Sequence, residues 1–242
     1  MDKIWIIAKR EFQTYWDSLV AYILLIVFLA FTGAFTWLIL QDVFMQGQAN
    51  LNPLFQWADL CLFFFIPALT MRTFAEERRT GTLEVLLTRA VTDWQVIMGK
   101  YLGSLMLILT ALAFTLPYYF TVAYLGPLDH GAVICGYVGL ILLSSAYIGI
   151  GIFVSSFTDN QIVAFLLTLV FGVFFFWIFD LMSFISKGII GELFHFLSMS
   201  THFESISRGV IDSRDIVYFL SITVLGLILA EVQLAKRNVV DA

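Results

Sequence analysis

The sequence predicts an all-α integral membrane protein with six membrane-crossing helices, and three observations carry that expectation. Apolar residues make up 60% of the 242 positions and charged ones only 13%, whereas soluble domains carry about a quarter charged residues. Six apolar runs reach or approach the ~20 residues that a helix needs to cross the hydrocarbon core. The basic residues gather at one set of run ends, as a fixed orientation requires. The net charge of −5 adds little, because distribution and not total charge sets orientation. With no basic stripe beyond the span flanks, nucleic-acid binding is excluded. Cys61 and Cys135 both fall inside apolar runs, where cysteine behaves as a small hydrophobe.

Residues 1–18 come first. Ile4, Ala8, Phe12, Tyr15 and Trp16 recur at helical spacing while Lys9, Arg10 and Gln13 fall on other faces. That pattern suits an amphipathic helix lying in the membrane interface. No cleavable signal peptide is expected, since the first apolar run is too long for one and Lys9, Arg10 and Glu11 precede it. The spans are expected at 19–40, 54–71, 101–125, 133–154, 161–179 and 216–234, all in one transmembrane domain covering 1–242. Pro67 predicts a kink in the second span. Gly136, Gly139, Ser144, Ser145, Gly149 and Gly151 mark the fourth as the span that packs at the bundle centre. Residues 180–215 mix apolar residues with Lys187, His195, His202, Glu204, Arg208 and Arg214, broken by Gly188, Gly191 and Gly209. They read as short re-entrant helices that dip in from one side, forming a gate segment.

Counting basic residues orients the chain. With the N-terminus inside, ten lie in inside segments, and only Lys187, Arg208 and Arg214 lie outside. Both termini and the segment 72–100 are therefore expected in the cytoplasm, and 180–215 on the far side. Segment 72–100 is the exception in this oily chain. Gly81 interrupts the helix coming down from span two, after Glu76, Glu77, Arg78 and Arg79. Thr82 can start a new helix with Glu84 in its first turn, where a carboxylate suits the dipole. Thr92 with Gln95 forms a capping box, and Val91 with Val96 fits a hydrophobic staple. Two capped helices meeting at a corner, anchored at both ends to spans, make an elbow that can transmit a push.

The stretch E-E-R-R-T-G-T-L-E-V-L-L-T-R-A-V-T-D-W-Q-V-I-M-G-K-Y resembles the cytoplasmic signature of type 2 ATP-binding-cassette (ABC) exporter permeases. It is most similar to the branch known as gliding-motility-associated permeases. The lead-in R-E-F-x-x-Y-W-D-S-L-V-A-Y, the turn S-S-F-T-D-N-Q-I-V-A-F and the late H-F-E-S-I-S-R-G-V-I-D-S-R-D share the likeness. The resemblance implies a dimer of six-span permeases in a bacterial inner membrane, with either a second copy or a paralogue as partner. It further implies a separate cytoplasmic ATPase that binds ATP and magnesium and grips the elbow. The ATPase-coupling positions it implies are Glu76, Glu77, Arg78, Arg79, Gly81, Thr82, Glu84, Leu86, Leu87, Thr88, Trp94, Gly99 and Lys100. Membrane lipid and an accessory extracytoplasmic protein are further expected partners. Ala90 and Leu19 stand where family members carry proline, which leaves those corners less rigid.

Other chemistry is sparse. No G-x-x-x-x-G-K-[ST] occurs, so the chain is not expected to hydrolyse ATP, and no H-E-x-x-H or G-x-S-x-G is present. No resident cofactor or metal is expected; His195 and His202, seven apart, could share a helix face but read as interfacial histidines. Asp59 lies inside span two, where a carboxylate is costly and marks a candidate transport path. Glu231, near Lys236 and Arg237, reads as a local ion pair, and Phe171 to Phe179 as lipid-facing. A membrane enzyme would need polar residues at matching depth in several spans, and Asp59 stands alone. The alternative is a non-transporting scaffold of a motility or secretion machine.

Overall fold

A computed structural model of the chain describes residues 2–39, 47–81 and 91–240, with side chains to 236. Among the described residues, six helices are long and apolar enough to cross a membrane. Helix α1 (Asp2–Trp16) precedes the first span, α2 (Leu19–Trp37), whose N-cap Ser18 accepts the Val20 N–H. The second span is α3 (Asn52–Thr70), which runs through Pro67 and is followed, after a turn at 71–74, by the short α4 (Ala75–Thr80). The third begins well before the apolar run: α5 (Asp93–Ala113) carries the capping box, and α6 (Leu116–Leu125) continues it after a break at Phe114 and Thr115. Pro117 in the first turn of α6 supplies no N–H to continue the ladder. At the break, Thr115 Oγ1 donates to the Leu112 carbonyl at 2.7 Å.

Helix α7 (His130–Phe157) is the fourth span and the axis of the bundle. Its hydrophobic stretch is 78% buried, against 22–56% for the other five. The small residues read from the sequence explain this. A Cβ on Gly151 would meet Thr70 Oγ1 at 2.1 Å, and one on Gly136 would meet Phe55 at 2.4 Å. The sixth span, α12 (Ser213–Val240), approaches closest, and a Cβ on Gly226 would lie 2.6 Å from the Gly149 carbonyl carbon. A hydroxyl chain stitches three spans together: Tyr101 to Ser145 at 2.6 Å and Ser145 to Thr223 at 3.0 Å.

The end of the fifth span differs from the sequence expectation. The fifth span does not stop at 179: α8 (Gln161–Val173) passes through a π-helical turn (Phe174–Ile178) into α9 (Phe179–Ile185). Aspartate and serine at 180 and 183 sit on a helix already long enough to leave the membrane, so polarity there did not end it. The remaining part of 180–215 does form short helices, α10 (Ile189–Leu197) and α11 (Met199–Ser207). His195 and His202 thus lie on different helices, separated by the cap at Ser198, and share no face. His202 faces the protein interior. It is buried, with Nδ1 2.6 Å from Asp215 Oδ1, Nε2 2.9 Å from the Phe196 carbonyl, and its ring stacked on Tyr218. Glu231 forms no ion pair with Lys236 among the described side chains, which stop short of Arg237.

The bundle has two distinct ends. At one, α1, α4 and the turn between α7 and α8 come together. At the other, Asn50, Pro127, Asp129 and Arg208 line a common pocket. Basic residues concentrate at the first end, as the sequence count anticipated.

Candidate coupling site at the elbow

Helix α7 has 28 residues, a length of about 42 Å against a hydrocarbon core of ~30 Å. It is longer than the apolar layer is thick, and its last turn meets the elbow. Ser155 Oγ accepts the N–H groups of Phe74 and Ala75, at 3.0 and 3.1 Å, and donates to the Met71 carbonyl at 3.3 Å. Phe74 offers no side-chain cap of its own. A serine from another span thus satisfies the orphan amide donors of α4. Arg78 ties the same helix to the following turn, with Nε 2.8 Å from Asp159 Oδ1 and Nη1 donating to the Ser156 carbonyl at 2.7 Å. Gly81 then ends α4 in the left-handed conformation at φ 70°, which glycine adopts without a Cβ penalty.

The second half of the elbow is held from α1. Lys100 is almost wholly buried, its Nζ 2.7 Å from Glu77 Oε1 and 3.1 Å from Glu11 Oε1, 5.1 Å from the centroid of the Phe74 ring. One ammonium thereby joins α1, α4 and α5. The close approach of α1 is set by two glycines. A Cβ on Gly99 would meet Ile7 Cγ2 at 2.5 Å, and one on Gly103 would meet Glu11 Cβ at 2.7 Å. Small residues four apart let helices touch backbone to backbone. Tyr15 completes the contact through Ser104 Oγ at 3.0 Å. Burial, with the Glu11 charge beside it, pushes the Tyr15 phenol up to about 12, so it stays neutral. At Thr92, the side chain accepts the Gln95 N–H and the Gln95 side chain accepts the Thr92 N–H, both at 3.3 Å.

The residues read as coupling positions separate into two groups. Glu77, Arg78, Gly99 and Lys100 face inward and hold the elbow to its neighbours, while Arg79 and Gly81 are exposed. Glu76 and Trp94 are half-buried. Thr82, Glu84, Leu86, Leu87, Thr88 and Ala90 lie outside the described residues. Asp59 is half-buried on α3, makes no ion pair among the described residues, and is not part of this assembly. Sequence reasoning missed Glu11, Ser155 and Asp159 as members of the site. The four-residue spacing of Gly99 and Gly103 was the available signal for α1 docking, and the serine pair at the end of span four was the signal for the α4 cap.

None of the curated proteins compared matches the chain. A family model described as "ABC-2 family transporter protein" matches residues 54–230, from the start of the second span into the sixth. That match takes in both described flanks of the elbow, the α7 axis and the α10–α11 segment. The chain belongs to the ABC-2 family of transporter proteins.

Proposed function

We infer that this chain is the permease subunit of a dimeric ABC exporter, driven by a separate cytoplasmic ATPase that seats against the elbow. The observation that carries the reading is the elbow itself. Its first helix is capped by Ser155, pinned by Arg78 and tied through Lys100 to α1 and the third span. A partner pushing on the exposed corner moves spans two, three and four as one body. Family membership supplies the permease role and implies an ATP-binding partner. The basic residues at the elbow end favour the cytoplasmic side for both termini, in a bacterial inner membrane. The α10–α11 segment then forms an outer gate, and the resemblance of the elbow motif to gliding-motility-associated permeases favours that branch.

The test is capture of the tagged permease from mild detergent beside a variant carrying Glu84→Arg and Leu87→Asp. An ATPase that comes down with the parent and is lost from the variant supports coupling. If no ATPase accompanies either form, the scaffold reading takes its place.

A further inference from the structure

At the elbow end, a cavity of about 380 Å³ opens between α1, the start of α2 and the junction of α3 with α4. Its walls are of two kinds. Val20, Leu24 and Leu69 belong to the first two spans and give it an apolar side; Arg10, Arg72 and Glu76 give it a charged mouth. The level is that of lipid headgroups, because Ser18 caps the start of span one and Arg72 follows the end of span two by two residues. Arg10 also feels the Glu77 carboxylate at the back of the cavity. Arg72 Nε is buried and has no hydrogen-bond partner, and neither arginine nor Glu76 forms an ion pair among the described residues. A guanidinium N–H withdrawn from water without an acceptor is costly, and phosphate is the acceptor that its fork fits best. The nearby Lys100 is already engaged by Glu11 and Glu77.

We propose that this cavity binds one phospholipid with a primary-amine headgroup, such as phosphatidylethanolamine. Arg72 and Arg10 take the phosphate, Glu76 takes the ammonium, and an acyl chain lies along Val20, Leu24 and Leu69. A zwitterionic head matches a mouth that offers both signs of charge, which a purely anionic head does not. The lipid would fill the wedge between α1 and the elbow, fixing the angle at which the elbow is presented.

The proposal is tested on the permease alone, so its outcome is independent of ATPase coupling. Native mass spectrometry after detergent delipidation should find one phosphatidylethanolamine retained per chain. Adding that lipid to the delipidated protein should raise Tm by about 5 °C, with a clearly smaller response to phosphatidylglycerol. Arg72→Gln should lower retention about tenfold. Arg10→Gln, an exposed change on α1 that leaves the fold intact, should weaken it in the same direction. Glu76→Gln should keep a phospholipid but lose the preference for the amine headgroup. Unchanged retention in both arginine variants overturns the site. So does an equal Tm rise with inorganic phosphate, which would make it a soluble-anion site. Arginine variants that keep the lipid yet lose ATPase capture would show a protein-docking surface instead.

Discussion

Lys100 is the residue on which the elbow turns, and its burial reverses the usual assumption about a lysine near a membrane surface. A lysine after an apolar-flanked glycine reads as a snorkelling side chain. Here it points inward, because Glu11 and Glu77 arrive from two other helices to compensate it. Removing one partner from such a group is expensive, whereas replacing the whole group by neutral residues is often tolerated. Lys100→Met should therefore destabilise the protein by about 2–3 kcal/mol, toward the low end for a buried charge because both carboxylates keep some water contact. Adding Glu11→Gln and Glu77→Gln to that variant should recover most of the loss. Thermal unfolding in detergent checks both; an additive, worsening series would mean that the three groups are not coupled. The sequence showed Lys100 and Glu77 as motif members, but the third member, Glu11, is 89 positions away, and no local pattern links them.

Helices were legible wherever the signal was local. The Thr92 capping box, the Gly81 stop and the N-terminal amphipathic helix all follow from residues within a few positions of one another, and the structure has each of them. Span ends were less legible, since a helix stays helical after it leaves the apolar layer. That is why α5 starts at Asp93, and why α9 carries the fifth span to Ile185. What α1 does was not legible either. Its apolar stripe announces an interfacial helix, but the stripe faces α5 closely only because Gly99 and Gly103 leave room. Gly103→Leu should lever α1 away. An Ala8→Cys reporter, wholly buried in the parent, should be unreactive to maleimide there and become labelled in the Gly103→Leu background. An unreactive thiol in both would mean that α1 is held by other contacts.

At the scale of the molecule, the bundle is a set of spans arranged on α7. The tightest crossing, Gly226 on Gly149, is backbone against backbone, with no flexible side chain to yield. Gly226→Ala should therefore cost about 3 kcal/mol, the upper end for overpacking, even though alanine is the better helix former. Denaturant unfolding of the purified protein measures it; a neutral or stabilising result would show that α12 can slide on α7. The sequence by itself determined that the chain is a six-span helical membrane protein, because hydrophobic length and charge asymmetry are sums over many residues and survive without knowledge of neighbours. It also determined where the elbow begins and restarts, because caps act over three or four residues. Only the tertiary structure decided what the elbow is fixed to. Ser155, Asp159 and Glu11 reach it from distant parts of the chain, and a hydrogen bond or ion pair depends on a position in space that no periodicity encodes.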